Sequence, residues 1–126
     1  MLMGSAIGAD VSVTIQGLAN ANGQVLVGLY NKASEFPEGT RVDGKVLPAI
    51  KGALTVVFKD LPSGNYAISA FHDINKNGRL DVNMQGIPIE PLGASRDAIG
   101  HMGPPSFNDA VFAVGSTPIH LTIHLR

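Results

Sequence analysis

Apolar and polar residues alternate with period two through most of this chain, and no stretch of 12 or more residues repeats cleanly at 3.6. Val11, Val13 and Ile15 alternate with Ser12, Thr14 and Gln16, and Leu54, Val56 and Phe58 repeat the pattern. At the far end, Ile119, Leu121, Ile123 and Leu125 alternate with His120, Thr122, His124 and Arg126. An extended chain turns successive side chains to opposite faces, so each run predicts a half-buried strand. Residues 24–30, 65–72 and 109–114 add three more apolar runs, and 45–50, interrupted by Pro48, a seventh. Asn22-Gly23 and Ser63-Gly64 are read as tight hairpin turns, because such pairs accept positive φ without steric cost. One helical turn is allowed at 31–36, stopped by Pro37. The expectation is an all-β fold: a single antiparallel β-sandwich of about seven strands, with a small closed barrel as the competing architecture.

Composition sets further bounds. A chain of 126 residues suits one domain, and 9 Lys plus Arg against 10 Asp plus Glu leave a net charge of −1. That balance lacks the clustered basic footprint of a nucleic-acid or anionic-membrane surface. With no cysteine, there is no disulfide framework, thiolate zinc site or Cys nucleophile. Residues 1–9 carry no charged side chain and are far too short to span a bilayer. They read as a signal-peptide remnant, with cleavage after Ala9, or as a disordered start, which leaves 10–126 as the sandwich domain.

The 79–108 segment breaks the rhythm, with Pro88, Pro91, Pro104 and Pro105 and with Gly86, Gly93, Gly100 and Gly103. Loops this long in compact domains are often functional. Its apolar residues, Ile87, Ile89, Leu92, Ile99, Met102 and Phe107, predict an ordered flap packed on the sandwich.

Just before it stands the one motif with chemistry in it: Asp73-Ile74-Asn75-Lys76-Asn77-Gly78-Arg79-Leu80-Asp81. Oxygen-bearing side chains occupy loop positions one, three, five and nine, and glycine position six, as in a D-x-[DN]-x-[DN]-G calcium loop. Calcium takes six to eight hard oxygen ligands, and alternate residues of a curled backbone can point inward together. Asp73, Asn75, Asn77 and Asp81 would offer side-chain oxygens and Arg79 its carbonyl. Position 12 is Met84, so the bidentate glutamate of a full loop is missing, and Glu90 is the next acid along the chain. A metal-free turn built on Asn77-Gly78 is the alternative reading.

Other groupings carry less. His120 and His124 are four residues apart on a strand, about 13 Å, too far to share one ion. His72 could orient the turn by hydrogen bonding, but a buried, satisfied structural histidine is the preferred reading. Ser95, Asp97 and His101 lack a nucleophile elbow, and His101 with Glu90 is the only other pair for a hydrolase in the 79–108 loop. No catalytic residue is therefore assigned.

The runs Tyr66 to Asp81, Gly86-Ile87-Pro88-Ile89-Glu90 and Gly103-Pro104-Pro105-Ser106-Phe107-Asn108-Asp109-Ala110 resemble, in order, the signature of domain-of-unknown-function family 2141. That resemblance implies a small secreted or periplasmic bacterial protein, all-β, without an assigned activity. The family often carries an aromatic after Pro-x-Glu, which Pro91-Leu92-Gly93-Ala94-Ser95 lacks. Gly64-Asn65-Tyr66 before an Asp/Asn turn also resembles transthyretin-like or prealbumin-like modules, which implies an immunoglobulin/transthyretin-like sandwich and nothing about function.

The resulting expectation is an extracytoplasmic binding or structural module with calcium weakly bound at 73–81. Its working surface would be that loop with His72, Gly86, Pro88, Glu90, Gly103, Pro104 and Pro105, and its partner a protein or a small molecule. The alternative is an adhesion or assembly partner that uses an exposed sheet edge, such as the terminal strand.

Overall fold

In the computed structural model, residues 8–100 and 103–126 are described. Eight strands form two sheets. Strands β1 (Gly8–Leu18), β4 (Gly52–Pro62) and β8 (Ile119–His124) make the first, in the order β4-β1-β8. The second holds β2 (Gln24–Tyr30), β3 (Asp43–Pro48), β5 (Gly64–Asp73) and β6 (Leu92–Ala94) in the order β3-β2-β5-β6, with β7 (Phe112–Val114) also on β5.

The alternating residues do what their period requires. Val11, Val13, Ile15, Val25, Leu29, Phe58, Ile68 and Ile123 are fully buried, and with Val27, Leu54, Val56, Tyr66 and Ala70 they fill the space between the sheets. Each such side chain contributes roughly 1.5–3 kcal/mol through the apolar surface it removes from water.

Strand pairing departs from expectation in two respects. β8 runs parallel to β1, with Val11 opposite Ile119 and Ile15 opposite Ile123, whereas the other pairs are antiparallel. Neither Asn22-Gly23 nor Ser63-Gly64 closes a hairpin, because β1 and β2 lie in different sheets, as do β4 and β5. Both turns carry the chain across the sandwich instead. Gly23 has φ 73°, and a Cβ there would collide with the carbonyl oxygens of Asp73 and Ile74, so this crossing is pressed against the end of β5.

The two sheets also meet along one side. Leu92 of β6 and Arg126 exchange backbone hydrogen bonds of 3.1 and 3.0 Å, which stitches the end of β8 to β6. The architecture is thus a sandwich closed on one side, with β3 and β4 as edge strands on the other.

β1 overlaps the end of the segment read as a signal remnant or disordered start. Gly8 and Ala9 already belong to β1, and Ala9 is buried, while the rest of the expected signal remnant, 1–7, lies outside the described residues. At 31–36, the Phe36 N–H reaches the Lys32 carbonyl at 3.3 Å, so the expected helical turn is present.

The 79–108 segment is more structured than a flap. It contains β6, a 3-10 turn at Ser95–Asp97 and the first residues of α1 (Phe107–Ala110), whose N–H of Asp109 is capped by Ser106 Oγ at 3.1 Å. The expected strand at 109–114 is therefore shorter, since Asp109 and Ala110 are helical. Ala110, Ala94, Ala67, Tyr30 and Phe36, with Phe107 against them, form a second small core on the outer face of β2 and β5. Phe36 meets Tyr30 and Phe107 edge to face, at 5.4 and 6.1 Å between ring centroids.

Packing of the flap is only partial. Ile87 and Ile89 are exposed, because 81–89 folds on itself through a Val82–Pro88 bridge, and Ile99, past the 3-10 turn, is exposed too. Met102, also expected to pack, lies outside the described residues.

Ser95 holds this outer layer down. Wholly buried, its Oγ donates to the Ala110 carbonyl at 2.6 Å and accepts from the Ile68 N–H at 2.9 Å. Replacement by alanine strands both groups in a dry interior, so Ser95→Ala is expected to lower stability by about 2 kcal/mol. Chemical denaturation of the two proteins, read as a shift in midpoint at constant m, checks this.

Candidate functional site: an Asx-rich loop at the end of β5

β5 carries the chain into the 73–81 loop, and Asp73 is its last residue. The Asp73 side chain is wholly buried. Its Oδ2 accepts the Gly78 N–H and the Gln24 amide, both at 2.8 Å, and Oδ1 accepts the Asn77 N–H at 3.2 Å. Gln24 stands opposite Asp73 in the β2–β5 register, so the sheet itself presents that donor.

The rest of the loop curls by repetition of one device. Asn75 Oδ1 accepts from the Asn77 N–H at 3.3 Å, and Asn77 Oδ1 from the Arg79 N–H at 3.1 Å. Each asparagine thereby bends the backbone two residues ahead of it, which is why residues of this type recur at alternate positions. Lys76 has φ 59° and Gly78 φ 81°, the left-handed conformations through which the curl closes.

Asp81 completes the ring. Its Oδ2 accepts from Asn75 Nδ2 at 2.5 Å and its Oδ1 from Asn77 Nδ2 at 2.6 Å. The side chains of positions three, five and nine thus meet through the asparagine NH2 groups and the Asp81 carboxylate, while position one, Asp73, is bonded to Gln24 and to the loop backbone.

Glu90 joins the loop from outside it. Buried at 6% exposure, it accepts the Ile74 N–H at Oε2, 2.8 Å, and the Asp81 N–H at Oε1, 3.0 Å. One carboxylate therefore clamps both ends of the loop. The distance in sequence hid this, although the motif's missing acid was the signal that pointed to it. Between Asp81 and Glu90, Asn83 Oδ1 accepts the N–H groups of Gln85 and Ile87 at 2.9 and 3.0 Å, Gly86 turns with φ 78°, and Pro88 sits in the bridge to Val82. Among the described residues, no three His, Cys, Asp or Glu side chains converge as a metal-holding group, so any cation here depends on amide and carbonyl oxygens as well.

The other expected site residues are elsewhere. His72 is wholly buried as expected, but only half satisfied: Nε2 donates to the Asn22 carbonyl at 2.6 Å and fastens the β1–β2 crossing, not the loop, while Nδ1 has no partner among the described residues. Gly103, Pro104 and Pro105 lead into α1, which packs through Ala110 against the Ala67 end of β5. Ala67 and Asp73 are six residues apart on β5, about 20 Å.

The hydrolase grouping comes apart as well. Ser95 is buried and doubly bonded, Asp97 is engaged by His124, and His101 lies outside the described residues. Glu90 spends both carboxylate oxygens on the backbone.

Sequence reasoning missed the pairing of Asp97 with the end of β8. Asp97 Oδ1 accepts the His124 N–H at 3.0 Å and Oδ2 approaches the ring Nδ1 at 2.9 Å, while His120 Nε2 reaches Thr14 Oγ1 at 3.2 Å. Burial pushes the Asp97 carboxyl up, but the His124 hydrogen bonds and the charges of His124 and Arg126 outweigh it and hold the carboxyl below its ordinary range. A carboxyl depressed on folding contributes stability above its unfolded value, about 3.9, and loses it as pH falls through the folded value. The stability difference between wild type and Asp97→Asn is therefore expected at pH 6 and should shrink toward zero as pH falls through the depressed folded value. Urea denaturation across that range checks the sign.

Together these features define a class: a small all-β sandwich module with an Asx-rich, glutamate-clamped loop at the end of one central strand. The chain belongs to the DUF2141 family, described as uncharacterized proteins conserved in bacteria, whose profile matches residues 13–122. Comparison with curated proteins and with solved structures gave no match.

Proposed function

We propose that the protein is an extracytoplasmic binding or structural module whose 73–81 loop takes a calcium ion. The carrying observation is the hydrogen-bond order of the loop: residue one to residues five and six, three to five, and five to seven. A backbone curled in that order is the kind on which oxygens of Asp73, Asn75, Asn77 and Asp81 can turn toward one ion, with the Arg79 carbonyl next along the curl. A hard cation would replace the amide–carboxylate contacts at Asp81 and draw those oxygens inward. Lys76 and Arg79 offset part of the negative charge, which places the affinity in the weak range of extracellular modules, about 10⁻⁴–10⁻³ M. Such a site is filled where calcium is millimolar, which fits a secreted or periplasmic setting. With no cysteine for disulfides, an ion is the remaining staple for this end of the sandwich.

At ten times the dissociation constant, binding to the folded state alone adds about 1.4 kcal/mol. Calcium at about 10 mM, ten times a dissociation constant of about 10⁻³ M, should therefore raise the thermal midpoint by at least roughly 3–6 °C, and magnesium by much less. An unchanged midpoint, or an equal response to magnesium, would sink the reading.

A second reading, assembly through a sheet edge, is favoured by β4. Nine of its 11 residues pair with β1 on one side, and among the described residues no strand covers the other. The terminal strand is the poorer edge, since Leu92 and Asp97 already occupy its last residues. A concentration-independent monomer mass by light scattering would argue against β4 as well.

A further inference from the structure

The chain contains two Asn-Gly pairs, and the structure treats them oppositely. We infer that Asn22-Gly23 is a site of spontaneous succinimide formation, promoted by His72, and that Asn77-Gly78 is guarded against the same reaction by the loop around it.

In this reaction the backbone nitrogen of Gly23 gives up its proton to solvent and attacks Cγ of Asn22. A C–N bond forms, the bond from Cγ to Nδ2 breaks, and the amide nitrogen leaves as ammonia after taking a proton from water. Water then opens the five-membered imide at either carbonyl, which gives aspartate or isoaspartate. No oxidant or cofactor is needed.

Both reacting groups are free at the first pair. Asn22 is exposed, and among the described residues neither its side chain nor the Gly23 N–H makes a hydrogen bond. The peptide that joins them is polarised, because its carbonyl oxygen accepts from His72 Nε2 at 2.6 Å. A carbonyl only accepts, so Nε2 carries the proton. When the Gly23 nitrogen is deprotonated, the negative charge spreads onto that oxygen, where the buried imidazole N–H meets it. Hydrogen bonds to a developing anion are the strong ones, and stronger still away from water. His72 is a positioning residue in this sense, held there by the core.

Both groups are tied at the second pair. The Gly78 N–H is bound to Asp73 Oδ2 at 2.8 Å, and a carboxylate there opposes loss of that proton. The Asn77 amide donates to Asp81 at 2.6 Å and accepts from Arg79 at 3.1 Å, so Cγ cannot swing toward the nitrogen without breaking both bonds. The protection keeps an extra negative charge out of a loop that already holds Asp73 and Asp81.

The test is peptide mapping by mass spectrometry of the full chain, incubated at neutral pH and physiological temperature, folded and in urea. In urea, the two pairs should convert at rates within about a factor of two, since only the local sequence acts. In the folded protein, Asn22 should convert faster than Asn77 by about tenfold or more, the factor that breaking a pair of hydrogen bonds implies. Asp73→Asn should release Asn77 and leave the Asn22 rate unchanged. His72→Gln, which keeps a side-chain N–H, should retain more of the Asn22 rate than His72→Phe. Equal rates at the two pairs in the folded protein, faster conversion at Asn77, or chain cleavage after Asn22 in place of deamidation would each overturn the inference.

Discussion

Asp73→Ala is expected to lower the stability of the domain by about 3 kcal/mol, or roughly 10 °C in thermal midpoint. The Asp73 carboxylate is wholly buried and receives three hydrogen bonds, from Gln24, Asn77 and Gly78. Bonds to an ionised acceptor contribute about 1.5–3 kcal/mol each, and water recovers part of that at the exposed Asn77 and Gly78. Gln24 sits deeper and is left with an unpaired amide. Asp73→Asn should fall between, because it keeps one acceptor oxygen and turns an N–H toward other donors. Differential scanning calorimetry of the three proteins gives the order directly. If alanine and asparagine variants melt like the wild type, the loop is not anchored through this residue.

Gly23→Ala should cost as much or more, about 3 kcal/mol, for a different reason. At φ 73° an L side chain is strained, and here the added carbon also meets the Asp73 and Ile74 carbonyls, so the β1–β2 crossing must lift away from β5. That movement would take the Asn22 carbonyl off His72 and leave a buried imidazole without its one partner. Gly78→Ala supplies the control: φ is 81°, but a Cβ there meets nothing within 4 Å, so only the backbone penalty of about 1 kcal/mol is expected. Equal losses at the two glycines would show that φ alone matters and that the crossing is not packed as described.

Period-two alternation carried most of the fold, because it says which side of a strand is buried. Val11, Val13, Ile15, Leu54, Val56 and Phe58 point inward for that reason. Alternation is silent about which strand lies alongside. The parallel pairing of β1 with β8, and the crossing from β1 to β2 where a hairpin seemed indicated, depend on long-range chain path that local residues do not encode. Within the 79–108 segment, β6 and α1 are too short to show a period, and their anchor, Ser95, is an ordinary serine until Ile68 and Ala110 close on it.

The loop was legible in a similar way. Asp73, Asn75 and Asn77 act on residues two to five positions ahead, so their spacing reveals the curl. Glu90 acts on Ile74 and Asp81 from 16 and 9 residues away, and only the fold brings it there. Conversely, Gly103, Pro104 and Pro105 looked like neighbours of the loop, since one long segment contained them, but α1 draws them toward the other end of β5.

A cation seated in the 73–81 curl would be felt first at the amide of Gly78, which is bonded to Asp73. In a calcium titration followed by two-dimensional ¹H–¹⁵N NMR, the account predicts saturable shifts at Gly78, Asn77 and Arg79. They should saturate with a dissociation constant of about 10⁻⁴–10⁻³ M and be absent in Asp81→Asn, while residues of β1 and β4 stay in place. Calcium at many times that concentration with no change at Gly78, or with small drifts spread evenly over the domain, would contradict it.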